Sequence, residues 1–132
     1  MERTRAEFRM QREALGLSQR DFAALLGVRD RSVRRWELDG SMPPDDAWKL
    51  LDELRADYKL RVASHIASFA DVVAEAGRPP KTVSIPYFRT QGEYDAVKDD
   101  GQPVGYVNAV LRDVAQQLRA KGFNVAVRFQ DE

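Results

Sequence analysis

The chain has 132 residues, of which 43% are hydrophobic, and its 21 basic and 21 acidic side chains leave no net charge. This size and composition fit one ordinary domain or two very small ones, and they exclude a disordered chain. The absence of cysteine excludes disulfides, thiolate nucleophiles and the common structural zinc sites. No run approaches the roughly 20 apolar residues that cross a bilayer, and the charged amino terminus lacks the apolar centre of a signal peptide, so we expect a cytoplasmic protein.

Capping signals define the first two helices. Thr4 and Glu7 have the spacing of a capping box, which predicts a helix over about residues 5–15. Ser18 is suited to an N-cap and Gly27 to a helix end, so a second helix is expected between them.

Three further helices are expected up to residue 76. The segment RDRSVRRWELDG, residues 29–40, forms a third helix that reaches about Glu37. From residue 45 to residue 76 there is neither Gly nor Pro, which predicts a fourth helix and a longer fifth helix close together. Apolar residues recur at helical spacing in the fifth helix: Val62, Ile66, Phe69 and Val73.

The last part of the chain is predicted to be a small α/β unit. GRPPK, residues 77–81, interrupts the helical pattern as a linker does. TVSIPYF and FNVAVRF predict strands, and Pro86 places the first of them at a sheet edge because proline cannot donate to a ladder. Two helices are expected between them, near residues 91–98 and along residues 104–118. The second strand presents one apolar face: Phe123, Val125, Val127 and Phe129.

The charge is not evenly distributed. Residues 1–37 carry nine arginines against six acids, whereas residues 38–132 carry twelve bases against fifteen acids. Four of the nine arginines lie in the first seven positions of residues 29–40. A local surplus of this kind on a neutral protein indicates a surface that attracts nucleic acid.

The predicted third helix has two distinct faces. At 100° per residue, Val33 and Trp36 fall opposite Arg31, Arg34 and Arg35. We expect the two apolar residues to anchor the helix on the preceding helix while the arginines project outward. This arrangement is what a DNA-reading helix requires.

The segment LSQRDFAALLGVRDRSVRRWELDG resembles the Cro/C1 (XRE-type) helix-turn-helix domain, with its Leu-Ser-Gln opening, Leu-Gly-Val turn and closing Trp-Glu. The resemblance covers residues 5–55 and implies a lambda-repressor-like domain that binds double-stranded DNA. The layout of the chain, with Trp36-Glu37, then Pro44-Asp45-Asp46 and an α/β tail, is similar to the anti-CRISPR-associated (Aca) autorepressors and their bacterial relatives. That similarity implies repression of the protein's own operon.

The resemblance assigns roles to individual residues. The family's phosphate clamp falls on Ser18, Gln19 and Arg20, where backbone N–H groups add a fixed positive end. An arginine can bind guanine O6 and N7 as a fork, and an aspartate can accept from cytosine N4. The base-reading positions, with Arg31 and Arg35 as the first candidates, are Asp30, Arg31, Ser32, Arg34 and Arg35.

Two positions depart from the family pattern. Arg29 stands where a Ser or Thr cap is usual, so Asp30 either contacts a base or caps the helix. Gln11 interrupts the apolar face of the first helix. The alternative to a reading face is a solvated helix face, on which Asp30 and Arg34 form an ordinary ion pair. Other arginines of this region are expected to contact a phosphate or nothing: Arg9, Arg12 and Arg55.

No pattern in the sequence indicates catalysis or metal binding. His65 is the only histidine and has no acid pair or cysteine at metal-ligand spacing, so we expect a partly packed side chain. The DDG at residues 99–101 lacks the other ligand positions of a calcium loop. We expect no enzyme activity, no metal and no cofactor. Four aromatic residues of the tail fit an interface and a core equally well: Tyr87, Phe88, Tyr94 and Tyr106.

We therefore expect a mainly α protein with an amino-terminal helix-turn-helix domain of four to five helices and a strand-helix-helix-strand unit. Residues 1–55 are expected to bind DNA, residues 56–78 to form a connecting helix and linker, and residues 79–132 to dimerise. Two strands and two helices bury too little surface to be stable alone, which favours a homodimer. The expected function is sequence-specific repression at an inverted-repeat operator; the alternative is an antitoxin-type protein whose carboxy-terminal part binds a partner protein.

Overall fold

The structure is a computed structural model that describes residues 2–132. In this range the chain is mainly helical, as the sequence predicts, and it contains six helices and two short strands. The elements in chain order are α1 (Arg5–Ala14), α2 (Gln19–Leu26), α3 (Asp30–Leu38), α4 (Asp45–Ala76), β1 (Val83–Pro86), α5 (Gln91–Val97), α6 (Val104–Ala120) and β2 (Val125–Arg128). No helix within residues 2–132 combines the length and the apolar character that a membrane span needs.

The chain forms two compact units, and the boundary lies within α4. The first unit ends at Asp57 and the second is Tyr58–Glu132. The expected break between a fourth and a fifth helix is absent, because no Gly or Pro interrupts the 32 residues of α4. Nor does a separate connecting helix cover residues 56–78, since Val62 is buried in the core of the second unit.

The core of the first unit is centred on Phe8. Its ring makes edge-to-face contacts with three other aromatic rings, at centroid distances of 5.2 Å to Phe22, 6.3 Å to Trp36 and 5.3 Å to Trp48. Such pairs add to the free energy of apolar burial. Because one residue comes from each of the four helices, this cluster packs α1, α2, α3 and the first part of α4 together.

The predicted caps of the first two helices are confirmed. The Thr4 hydroxyl accepts from the Glu7 N–H at 3.0 Å, and the Ser18 hydroxyl accepts from the Asp21 N–H at 3.0 Å. Gly27 ends α2 with φ of 81°, a left-handed conformation that glycine adopts without a steric penalty. Local sequence signals therefore set the limits of the turn between α2 and α3.

In the second unit, β1 and β2 pair in parallel, with Val83 opposite Val125 and Pro86 opposite Arg128. The predicted order of strand, helix, helix, strand is confirmed. The apolar face predicted for the second strand is only partly covered, since Val125 is buried whereas Val127 is 39% exposed. The core combines residues of α4, both strands, α6 and the region around α5, among them Val62, Ile85, Phe88, Val114 and Leu118.

A buried amide fixes the chain just after β1. The Asn108 side chain on α6 accepts from the Phe88 N–H at 3.1 Å and donates to the Phe88 carbonyl at 2.8 Å. Both backbone groups of a buried residue are thereby satisfied, which avoids a desolvation penalty. Three of the four tail aromatics belong to the interior, as Phe88, Tyr94 and Tyr106 are buried, while Tyr87 is half-buried.

Candidate nucleic-acid interface

The two faces predicted for α3 are present. Val33 is fully buried and Trp36 is 8% exposed, so both hold α3 against the first unit. Arg31, Arg34 and Arg35 are exposed. The ion pair between Asp30 and Arg34 that a solvated face would favour is not formed in the described part of the chain. The side chains of Arg31 and Arg34 therefore remain available for a ligand.

The carboxyl end of α3 is held by Arg5, a residue that the sequence analysis did not single out. One terminal guanidinium nitrogen, Nη1, donates to the carbonyls of Trp36 at 2.8 Å and Ser41 at 3.2 Å, and the other donates to the Gly40 carbonyl at 2.5 Å. Carbonyls at a helix end lack partners within the helix, and a cation also suits the negative end of the helix dipole. Arg5 thus joins the start of α1 to the carboxyl end of α3.

Arg12 is buried, which corrects the expectation that its side chain lies at the surface. Its guanidinium donates to both carboxylate oxygens of Glu37, at 2.6 Å and 2.7 Å, and to the Leu17 carbonyl at 2.7 Å. The side chains of Arg12 and Glu37 are only 7% and 2% exposed. This buried pair ties α1 to α3. One signal indicated it, since Arg12 shares the inner face of α1 with Phe8 and Leu15.

The other two arginines of that group lie at the surface. Arg9 faces Glu13 at 3.5 Å with both side chains exposed, and Arg55 lies 3.9 Å from Asp52. Gln11, expected to interrupt the apolar face of α1, is buried and donates to the Glu7 carboxylate at 2.8 Å.

The three residues of the expected phosphate clamp occupy different positions. The Ser18 hydroxyl accepts from the Asp21 N–H, which leaves its own hydrogen to donate. The Gln19 amide instead donates to Glu37 at 3.2 Å. Arg20 is exposed. Arg20 is thus the cation of this group that faces solvent, and Gln19 supports the buried Arg12–Glu37 pair.

A groove of 550 Å³ lies between the first part of α2 and the start of α3. Arg20 comes from α2, whereas Arg29, Asp30 and Arg31 come from the start of α3. The groove therefore places a residue of the expected phosphate clamp beside two of the expected base-reading residues. Three guanidinium groups against one carboxylate make this groove attractive to an anion.

The helix begins at Asp30, with Arg29 at the N-cap position and no side-chain capping bond from it. Asp30 is thus the first helical residue and not the N-cap. One oxygen of its carboxylate accepts from the Arg31 N–H at 3.1 Å. The second oxygen has no hydrogen bond within the described residues, so the carboxylate retains an acceptor.

Arg35 lies at the other end of α3, beside Gly40. A Cβ atom on Gly40 would stand 3.0 Å from the Arg35 Cβ, 3.2 Å from its carbonyl oxygen and 3.3 Å from its Nε. The Gly40 N–H also donates to the Arg35 carbonyl at 2.8 Å. The missing side chain at residue 40 leaves the space along which Arg35 passes.

His65 and the DDG at residues 99–101 lie outside this surface. No cluster of three or more His, Asp or Glu side chains within residues 2–132 has the arrangement of a metal site. His65 lines a 200 Å³ cavity of the second unit, where partial burial, together with the charges of Lys98 and Arg61, lowers its pKa from the ordinary value of 6.5.

Comparison with known proteins identifies the domain that carries this surface. A family model described as helix-turn-helix matches residues 8–55, which contain α1, α2, α3 and the first part of α4. No curated protein matches the chain. The matched range contains the exposed arginines of α3 and the groove beside α2. The amino-terminal part of the chain is a helix-turn-helix domain of the Cro/C1 (XRE) type, and the protein that carries it is a DNA-binding transcription regulator.

Proposed function

We propose that the protein is a homodimeric repressor that binds an inverted-repeat operator and controls its own operon. The observation that carries this proposal is the exposed arginine face of α3, held rigidly by buried Val33 and Trp36 within a helix-turn-helix domain. The similarity of the chain layout to the Aca autorepressors supports autoregulation. Because the partner is DNA, we also propose a cytoplasmic location.

In this proposal the start of α3 enters the major groove. Arg31 and Arg20 line the same groove of the protein surface. A DNA strand that passes there therefore meets a base-reading and a phosphate-binding side chain together. Arg31 and Arg35 donate as forks to guanine, and Asp30 accepts from cytosine through its second carboxylate oxygen. Ser32 and Arg34 complete the base-reading set. Ser18 and Gln19 complete the phosphate-binding set. Gln19 contributes its backbone N–H, because its side-chain amide is bonded to Glu37.

Neutrality of the whole chain does not oppose this function. The acidic surplus of residues 38–132 balances the arginines of the amino-terminal domain, so the chain as a whole carries no net charge. At the interface itself, Arg20, Arg29 and Arg31 face one carboxylate, that of Asp30. Screening confines electrostatic attraction to about 10 Å at ordinary salt, so the local surplus governs the encounter with DNA.

Selection of bound sites from random DNA tests the proposal. The expected product is an inverted repeat whose half-sites are centred about 34 Å apart, which is one turn of the duplex. Arg31→Ala combined with Arg35→Ala should abolish the enrichment. Arg78→Ala is the matched control, because it removes an exposed arginine from outside the domain and should select the same repeat. Enrichment of an asymmetric single site, or of none, would contradict the proposal.

A further inference from the structure

The two-stranded sheet of the second unit has two outer edges, and they differ in what they offer a partner. The Val83 N–H donates to the Asn124 carbonyl at 2.8 Å, and the Tyr87 N–H donates to the Arg128 carbonyl at 2.9 Å. Backbone groups alternate in direction along a strand. The even-numbered residues of β2 therefore bond to β1, and the backbone groups of Val125, Val127 and Phe129 point away from it.

Side chains of the same chain cover both ends of this outer edge of β2. Arg119 donates to the Val125 carbonyl at 3.2 Å, and the Phe129 N–H donates to the Glu132 carboxylate at 3.1 Å. Val127 lies between them, and its side chain is 39% exposed. The outer edge thus presents the N–H and the carbonyl of Val127, next to its exposed apolar side chain, and the N–H of Val125.

The outer edge of β1 is less suited to pairing. By the same alternation, Ser84 and Pro86 point their backbone away from β2, and proline has no N–H to donate. Proline on an edge strand is a common means by which proteins prevent further pairing. Of the two edges, the edge of β2 is the one that can add a strand.

We propose that a second copy of the chain pairs at this edge, antiparallel, with the two-fold axis at Val127. In this register the two Val127 residues exchange both of their backbone hydrogen bonds, so each copy supplies what the other lacks. The inference deepens the proposed homodimer by naming its interface, and it produces a four-stranded sheet in the order β1, β2, β2, β1.

Side chains favour this register. The two Val127 side chains become direct neighbours on one face, which buries apolar surface that is exposed in the single chain. On the other face, Arg128 lies across from the partner's Ala126, so the two arginines are not opposed. Val125 and the partner's Phe129 form the next pair. Arg119 already binds the Val125 carbonyl, and Glu132 already binds both the N–H and the carbonyl of Phe129, so the Val125 N–H could add only a second bond to that carbonyl and the Val127 pair carries the interface.

Cysteine cross-linking of the full chain tests the geometry, because the natural sequence has no cysteine. Directly opposed residues of a hydrogen-bonded pair have Cα atoms about 5.5 Å apart, and their Cβ atoms are farther apart than a direct disulfide prefers, so a short thiol-specific cross-linker is the suitable reagent. With this reagent Val127→Cys should form a covalent dimer. Ser84→Cys, on the outer edge of β1, is the matched control and should stay monomeric under reducing-agent-free electrophoresis. The proposal would be overturned if the two variants cross-linked equally, or if Val127→Cys did not cross-link at all.

Edge-blocking substitutions test the energetics by sedimentation of the full chain. Val127→Pro removes both reciprocal bonds and should raise the dimer Kd by about tenfold or more, whereas Ser84→Pro should leave it unchanged. Val127→Lys, which places like charges opposite each other without altering the backbone, should act as Val127→Pro does. A wild-type chain that stays monomeric, or a dimer that Val127→Lys leaves intact, would overturn the inference.

Binding to a single half-site separates this inference from the proposed function. Val127→Lys should bind one half-site as the wild type does, while its affinity for the complete repeat falls. A Val127→Cys variant that cross-links, together with a wild-type chain that binds no DNA, would refute the proposed function and leave the interface standing.

Discussion

The guanidinium of Arg12 and the carboxylate of Glu37 form a buried two-bond ion pair that joins α1 to α3, with hydrogen bonds of 2.6 Å and 2.7 Å. A third donor of Arg12 satisfies the Leu17 carbonyl in the turn before α2. Glu37 also accepts from the Gln19 amide. Three successive helices are therefore connected through one carboxylate.

Arg12→Ala should lower the free energy of unfolding by about 3 to 5 kcal/mol, because Glu37 would keep a buried charge without its partner. Urea denaturation of the full chain, followed by far-ultraviolet circular dichroism, measures the change. Arg9→Ala is the control: its pair with Glu13 is exposed on both sides, so its effect should be close to zero. Equal effects of the two substitutions would show that burial of the pair is unimportant.

Arg35→Ala should weaken operator binding by about 1 to 3 kcal/mol per half-site and relax the preference at one base pair. The reason is the loss of a forked contact to guanine at the carboxyl end of α3. Titration against the selected operator and a set of single-base variants measures both effects. Unchanged binding of the operator would remove Arg35 from the reading face.

Arg20→Ala should weaken binding to all sequences alike and flatten the salt dependence of the affinity, since a phosphate contact carries no sequence information. Affinities for operator and unrelated DNA at several salt concentrations provide the measurement. A loss confined to the operator would instead place Arg20 against a base.

Gly40→Ala should displace Arg35, because the new Cβ would stand 3.0 Å from the Cβ of Arg35 and 3.2 Å from its carbonyl oxygen. We expect weaker operator binding together with a loss of stability of about 1 to 3 kcal/mol. Gly92→Ala in α5 is the control: its nearest neighbour is 4.0 Å away, and alanine should stabilise the helix by about 0.5 to 1 kcal/mol. Thermal melting of both variants measures the change in stability, and DNA titration measures the change in operator affinity.

The protein should lose stability as the pH rises above 10. Burial, together with the nearby Asp113 carboxylate, raises the pKa of Tyr58 from 10.0 to about 12. Since the folded pKa lies above the unfolded one, the contribution is complete below pH 10 and is lost as the pH rises towards 12. Tyr58→Phe should make the urea midpoint less sensitive to alkaline pH. An identical decline in both proteins would refute this.

The parts of the fold that rest on neighbouring residues were predictable. Capping by Thr4 and Ser18, the left-handed Gly27 and the two faces of α3 depend on spacings of three or four residues, and the structure confirms each. The family match over residues 8–55 confirms the resemblance seen in the motif. The roles of individual residues in binding DNA remain predictions.

Long-range pairings were not predictable, because a single sequence does not show which distant residues meet. Glu37 lies 25 residues from Arg12, and the carbonyls that Arg5 binds lie 31 to 36 residues from it. The amide of Asn108 meets Phe88 at a separation of 20 residues. The packing of the part of α4 that follows Asp57 into the second unit was not predicted either. A helix of 32 residues contains no local signal for the point at which its packing partners change.

The side chains that anchor α3 to the domain differ from those that are available to read DNA. Val33 and Trp36 are buried, whereas the side chains of Arg31 and Arg34 bond to no other part of the described chain. Exchanging these two arginines for other residues would therefore leave the packing of the domain intact. The same scaffold is consequently suited to evolve new target sequences by surface substitutions alone, without a compensating change in its interior.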